Sequence, residues 1–126
     1  MNHAVIWIDH HEAHVIFFNS NESKTEIIKT DSNQAHLHHK RGSVGSGHAG
    51  TDTPYLHKVL QSVAKCKEIL VVGPGSAKIE LIKHAHQHDP SIAKQIVGVE
   101  TVDHPTDGQL LAFAKKYFLA KDRMIG

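Results

Sequence analysis

Cysteine is nearly missing from this sequence: Cys66 is the only one in 126 residues. An intrachain disulfide is therefore impossible, and so is a zinc site built on cysteine. Charge imbalance is missing too. The formal net charge is +1, so no global basic field marks a nucleic-acid binder, and any cationic surface has to be local. No apolar run approaches the ~20 residues of a membrane-spanning helix. The segment Met1-Asn2-His3-Ala4-Val5-Ile6 lacks a basic n-region and turns at once into a strand pattern, so no signal peptide is expected and a cytoplasmic location is. The P-loop pattern and the dinucleotide fingerprint are both absent.

Histidine, by contrast, is abundant, with 13 residues. Protonating several of them near neutrality makes the chain clearly cationic, so its charge depends on pH. The apolar and charged fractions, 40% and 21%, are ordinary for a globular protein. The length suits one domain, 1–126, with a single sizeable core.

The first third of the chain reads as strands. Ala4-Val5-Ile6-Trp7-Ile8 is a β-branched apolar run, the pattern of a strand buried on both faces. Asp9-His10-His11-Glu12 is a break of hairpin length before a second apolar run, Ala13 to Phe18. Asn19 to Ser23 is another turn cluster, and Lys24 to Thr30 a third strand, exposed on one side. The period then changes. Thr51-Asp52-Thr53-Pro54 is a helix start with a threonine able to cap, and Leu56, Val59, Leu60 and Val63 follow on one helical face, with Lys65 and Lys67 near the C-terminal end. Glu68 to Val72 is a buried strand. Gly73-Pro74-Gly75-Ser76 is a tight turn with Ser76 as cap, and a helix from Ala77 to His88 stops at Asp89-Pro90. Ser91 to Lys94 adds a short helical turn, and Gln95 to Thr101 a fifth strand. Thr106 and Gln109 have capping-box spacing before a last helix whose apolar face is Leu110, Phe113, Ala114, Tyr117 and Phe118, with a frayed tail from Lys121. The order β-β-β-α-β-α-β-α predicts a three-layer α/β/α domain around a mixed five-stranded sheet.

Between the third strand and the first helix lies a stretch unlike the rest, at about 34–50. It contains His36, His38, His39 and His48, the adjacent cations Lys40 and Arg41, and Gly42, Gly45, Gly47 and Gly50, with Ser43 among them. It has too little apolar content to be core. Dense glycine lets backbone amides face a ligand, and cations beside those amides suit a phosphate backbone. The stretch reads as a flexible basic loop that binds nucleic acid, or as a solvated linker. The expected binding residues are His38, His39, Lys40, Arg41, Gly42, Ser43, Gly45, Gly47 and His48.

Other candidates are weighed against plainer readings. Asp9, with Glu12, Glu100 or Asp103, has the residue types of a Mg²⁺-dependent nuclease, but aspartate at a turn serves its own hydrogen bonding, and that reading is preferred. Gly73 to Lys78 has the strand–turn–helix setting of a phosphate site, though tight βα turns need glycine without any ligand. His84 and His88 are spaced as a metal-chelating pair on one helix face, with His86 on another. Ala85 replaces the glutamate of the zinc-protease motif, and no third ligand is identifiable. His10, His11 and His14 form another group. No resident metal or cofactor is expected. Ser43, Ser46 and Cys66 lack a recognisable acid–base partner pattern, so a nucleophilic hydrolase is poorly supported.

Several stretches carry a resemblance: Val5-Ile6-Trp7-Ile8-Asp9 with its hairpin, His38-His39-Lys40-Arg41-Gly42-Ser43, Val71 to Leu81, His88-Asp89-Pro90, and Val97 to His104. They resemble the small bacterial translational machinery proteins, which are similar to the middle domain of eukaryotic and archaeal class I peptide-chain release factors and their ribosome-rescue relatives. The resemblance implies a ribonuclease H-like fold over nearly the whole chain. It also implies that the basic loop corresponds to the release-factor loop that enters the peptidyl-transferase centre. The Gly-Gly-Gln tip of that loop promotes peptidyl-tRNA hydrolysis. Here the position holds Gly42-Ser43-Val44-Gly45-Ser46-Gly47-His48, with no glutamine and no adjacent glycine pair; Gln34 precedes the cations. A codon-reading domain is not expected in 126 residues. The expectation is a non-enzymatic translation factor that binds ribosome, rRNA or tRNA. The alternatives are a hydrolase or nuclease acting on peptidyl-tRNA or RNA, and a histidine-based metal or pH sensor.

Overall fold

The computed structural model describes residues 1–30 and 52–125, with side chains as far as Lys121. Five strands form one sheet: β1 (His3–Ile8), β2 (Glu12–Phe18), β3 (Ser23–Lys29), β4 (Glu68–Gly73) and β5 (Ile96–Thr101). The helices are α1 (Thr53–Ser62), α2 (Ala77–His88), the single turn α3 (Pro90–Ala93) and α4 (Asp107–Ile125). The sheet order is β3-β2-β1-β4-β5. β1 pairs antiparallel with β2 and parallel with β4; β2–β3 is antiparallel and β4–β5 parallel. This is the mixed α/β/α architecture expected from the pattern.

β1 lies at the centre because every residue from Ala4 to Ile8 is buried. Its side chains alternate between two cores. Ala4, Ile6 and Ile8 face a cluster completed by Tyr55, Leu56, Val59 and Leu60 of α1 and Leu81 and Ala85 of α2. Val5 and Trp7 face a second cluster with Leu70 and Val72 of β4 and Leu110, Ala114 and Phe118 of α4. Fully burying one such large aliphatic side chain is worth roughly 1.5–3 kcal/mol.

The two hairpin tips are built alike. Asp9 Oδ1 accepts from the backbone amides of His11 and Glu12, both at 2.8 Å, while the Asp9 amide donates to the Glu12 carbonyl. Asn19 Oδ1 does the same for Asn21 at 2.8 Å and Glu22 at 2.7 Å. Short side chains that mimic a backbone turn are the reason Asp and Asn stand here.

The structure corrects several details. α1 is capped at Asp52, whose carbonyl accepts from Leu56; no side chain caps it, and Thr53 is already helical. α1 ends at Ser62, so Lys65 and Lys67 lie beyond its last turn. Ser76 caps α2 by position only, its hydroxyl turning to Glu80 Oε2 at 3.4 Å. β3 is more exposed than a one-sided strand, with only Ile28 buried; it is a sheet edge, and Lys24, Glu26 and Lys29 suit an edge that must not pair further. β5 is half-exposed at the opposite edge. Phe113 is 37% exposed because, among the described residues, α4 is the helix that packs on this face of the sheet, and it buries the Leu110–Ala114–Phe118 line. The chain from Lys121 to Ile125 continues α4 instead of fraying. The capping box is present: the Thr106 amide donates to Gln109 Oε1 at 2.9 Å, and the Gln109 amide to Thr106 Oγ1 at 3.1 Å.

Candidate nucleic-acid interface

Parallel pairing brings the C-terminal ends of β1, β4 and β5 to one edge of the sheet, with Trp7 opposite Val72 and Gly73 opposite Thr101. Open α/β sheets bind ligands at this edge. Three contacts bring helix N-termini to it. The Tyr55 hydroxyl of α1 donates to the Asp9 carbonyl at 3.0 Å, His10 Nε2 lies 3.3 Å from Glu80 Oε2 of α2, and His14 Nδ1 lies 2.8 Å from Asp107 Oδ1 of α4. Thr30, the last described residue before 31–51, donates its amide to the His11 carbonyl at 3.0 Å. Asp52, the first described residue after it, caps α1 beside Tyr55. The flanks of the basic segment therefore both stand at this edge. The predicted binding residues themselves, His38, His39, Lys40, Arg41, Gly42, Ser43, Gly45, Gly47 and His48, lie outside the described residues, as does the loop histidine His36.

The described part of the edge is rich in carboxylates: Asp9, Glu12, Asp52, Glu80, Asp103 and Asp107. Glu80 and Asp107 sit in the first turns of their helices, where they already complement the helix dipole. Lys78 is no phosphate ligand. It is 8% exposed, and its ammonium donates to the Gly75 carbonyl at 2.6 Å, closing the βα turn on itself. Gly73 to Lys78 is thus a tight turn in which Gly73 is pressed against the Ile8 carbonyl, leaving no room for a β-carbon.

On the α4 side of the edge is an open pocket of ≈ 160 Å³, lined by Trp7, Glu12, His14, His104, Pro105, Asp107 and Leu110. The Trp7 indole donates to the Asp103 carbonyl at 2.6 Å and holds the wall. His14 lies between two carboxylates, Nε2 at 2.9 Å from Glu12 and Nδ1 at 2.8 Å from Asp107. Both ring nitrogens can donate only in the imidazolium form. Burial alone lowers the pKa of His14, but hydrogen bonds and charges from Glu12 and Asp107 outweigh it, and the net shift is upward. With both nitrogens committed, His14 has none left to activate a serine or water. Nearby, the phenol of Tyr55 is pushed far up by burial and by the charges of Asp9 and Glu12, so it stays protonated.

Asp9 is occupied as a turn former, and Glu12, Glu100 and Asp103 do not gather around it. Among the described residues, the one group of three or more ligating side chains close enough to share an ion is His57, His84 and Asp89, on the α1–α2 layer. His84 thus meets His57 and Asp89 in addition to the i,i+4 partner its spacing suggests. His88 packs beside it, ring centroids 4.5 Å apart. Burial, reinforced by His88 and His57 and opposed by Asp89, lowers the pKa of His84. Cys66 is buried, and burial pushes its thiol up, consistent with an inert core residue.

Sequence reasoning missed two constellations. Glu12 and His14 share a strand face, a period-2 signal that was available, but Asp107 is joined to them only by the fold. His57 stands 27 residues before His84 in another helix, and no spacing rule links them.

No protein-family model matches the sequence, and no curated protein matches it. Solved structures do. The Thermoplasma acidophilum Pelota protein aligns with a TM-score of 0.60 at 13% identity, over 88% of this chain and 31% of Pelota. Archaeal translation termination factor aRF1 aligns at 0.57 and 13%, over 81% of this chain and 30% of its own. The fold is shared with one part of the Pelota and aRF1 structures. Dom34 of S. cerevisiae, a translation termination-like factor involved in RNA quality control pathways and interacting with Hbs1, aligns at 0.52 and 15% identity, over 79% of this chain and 28% of Dom34. The chain therefore spans about a quarter to a third of the length of these Pelota/aRF1-like proteins. The mixed five-stranded α/β/α, ribonuclease H-like architecture expected from the sequence is the one found. Among the described residues no helix is long and apolar enough to cross a membrane.

Proposed function

We propose that this protein is a non-catalytic translation-associated factor that binds the ribosome, rRNA or tRNA through its basic segment at 34–50. The observation that carries this reading is the position of the segment's flanks. Thr30 and Asp52 both stand at the C-terminal edge of a sheet shared with Pelota and aRF1. The described edge is dominated by carboxylates, so attraction for phosphate comes from Lys40 and Arg41 and from the loop histidines when protonated. Membership of the small bacterial translational machinery proteins, a cytoplasmic location and a single functional domain belong to the same proposal.

A catalytic role has less support. The Gly-Gly-Gln tip is missing, Asp9 holds a turn, and both nitrogens of His14 are held by carboxylates.

Sucrose-gradient co-sedimentation with ribosomes, at low and moderate salt, tests the proposal. The wild-type chain is expected to travel with ribosomal particles at low salt and to leave them as salt rises, because phosphate contacts release counterions. Lys40→Ala/Arg41→Ala should stay at the top of the gradient under all conditions. Identical profiles for the two proteins overturn the proposal.

A further inference from the structure

Away from the strand edge, three side chains from three different places converge. His57 comes from the middle of α1, His84 from the last turns of α2, and Asp89 from the junction between α2 and α3. One ligating atom of each lies within 4.8 Å of the others.

Two of the three side chains carry an orphan atom. His84 is 8% exposed, and its Nε2 is buried without a hydrogen-bond partner. Asp89 Oδ2 is buried without one as well, with His57 Nδ1 3.8 Å away, beyond hydrogen-bonding distance. Buried polar atoms are almost always satisfied, so two such atoms on side chains of one cluster call for a partner.

Asp89 is also placed as a ligand. Its amide donates to the Ala85 carbonyl at 2.8 Å and ends α2, while its carbonyl accepts from Ile92 at 2.9 Å and Ala93 at 3.0 Å and begins α3. Backbone bonds on both sides fix its Cα. Yet the carboxylate makes no cap hydrogen bond, although aspartate is among the best N-caps. It points instead toward the two imidazoles, and its other oxygen, Oδ1, accepts from Gln61 Nε2 at 3.4 Å. An outer partner of this kind orients a metal-bound carboxylate.

We propose that His57, His84 and Asp89 form a binding site for a divalent transition-metal ion of the zinc class. Two imidazole nitrogens and one carboxylate oxygen suit that class, and a tetrahedral ion would keep one position open to solvent. His57, with its side chain 56% exposed, marks the way in. A bound ion ties α1 to the α2–α3 corner and supplies both orphan atoms with a partner. The site is independent of the loop and stands or falls apart from ribosome binding.

The test uses untagged full-length protein in which His36, His38, His39 and His48 are alanine, so that loop histidines do not chelate. Zn²⁺ is titrated by calorimetry and Co²⁺ by visible absorption. One equivalent should bind, with Co²⁺ bands of tetrahedral intensity and a raised melting temperature. His57→Ala, at an exposed position, and Asp89→Asn should each weaken Zn²⁺ binding by at least ~10-fold, the loss that even outer-shell changes cause. His88→Ala should leave it intact. Unchanged affinity in His57→Ala and Asp89→Asn overturns the proposal. So does loss of binding in His88→Ala alone, which would mean a simple His84–His88 chelate. Absence of stoichiometric binding overturns it too, leaving a bridging water as the partner of the two orphan atoms.

Discussion

His14 shows how a single residue changes meaning once the chain is folded. In the sequence it is one of three histidines around a turn; in the fold its ring is clamped between Glu12 and Asp107, an arrangement that favours the imidazolium. Its pKa is raised above the ordinary 6.5, so its contribution to stability is complete below that value and is lost as pH rises through the folded pKa. His14→Gln is therefore expected to lower stability clearly at about pH 5.5 and much less at about pH 9, as read by urea denaturation. The imidazole of His14, followed by NMR, should titrate above 6.5. Glycine provides a second residue-level contrast. A β-carbon on Gly73 collides with the Ile8 carbonyl, which belongs to the central strand and has nowhere to go. A β-carbon on Gly98 collides with the Tyr117 hydroxyl, the end of a half-exposed side chain that can swing away. Gly73→Ala should cost about 1–3 kcal/mol or more and Gly98→Ala distinctly less, measured as the shift in denaturation midpoint.

Elements were legible to the extent that local chemistry makes them. Val5-Ile6-Trp7-Ile8 could only be a two-sided strand, and Leu56, Val59, Leu60 and Val63 only one face of a helix. The capping box at Thr106 and Gln109 was readable because its partners are three residues apart. Thr106→Ala should cost about 0.5–2 kcal/mol, and thermal unfolding would register it as a lower melting temperature. Where the reading slipped, the cause was tertiary. Phe113 belongs to the apolar stripe of α4 by period, but that stripe is wider than the sheet face it meets. Thr53 and Ser76 are good capping types, yet the first is helical and the hydroxyl of the second prefers Glu80. The candidate site divides in the same way. Lys40 and Arg41 declare their chemistry in the sequence, whereas Glu12–His14–Asp107 and His57–His84–Asp89 each join residues that only the fold brings together.

At the scale of the whole molecule, one sheet separates two cores and gathers its functional candidates at different places. The strand edge carries the flanks of the basic segment and the His14 pocket; the α1–α2 layer carries the His57 cluster. The opposite end is closed by Glu68, which meets His3 at 2.9 Å and Lys121 at 3.0 Å; the Lys121 hydrogen bond, with His3, holds its carboxyl below the ordinary range despite partial burial. The double pairing of β1 also orders events in time. Ile6 faces Val15 nine residues along the chain on one side and Val71 sixty-five residues along on the other. The hairpin needs only a short closure, while the parallel partner has to cross most of the molecule, and long closures come late. Val15→Ala should therefore slow refolding, with a φ-value of about 0.5 or above, while Val71→Ala should chiefly hasten unfolding, with a φ-value below about 0.3. Two valines flanking the same isoleucine, equally buried, would then differ in when they begin to matter: one while the chain is still searching, the other only when it comes apart.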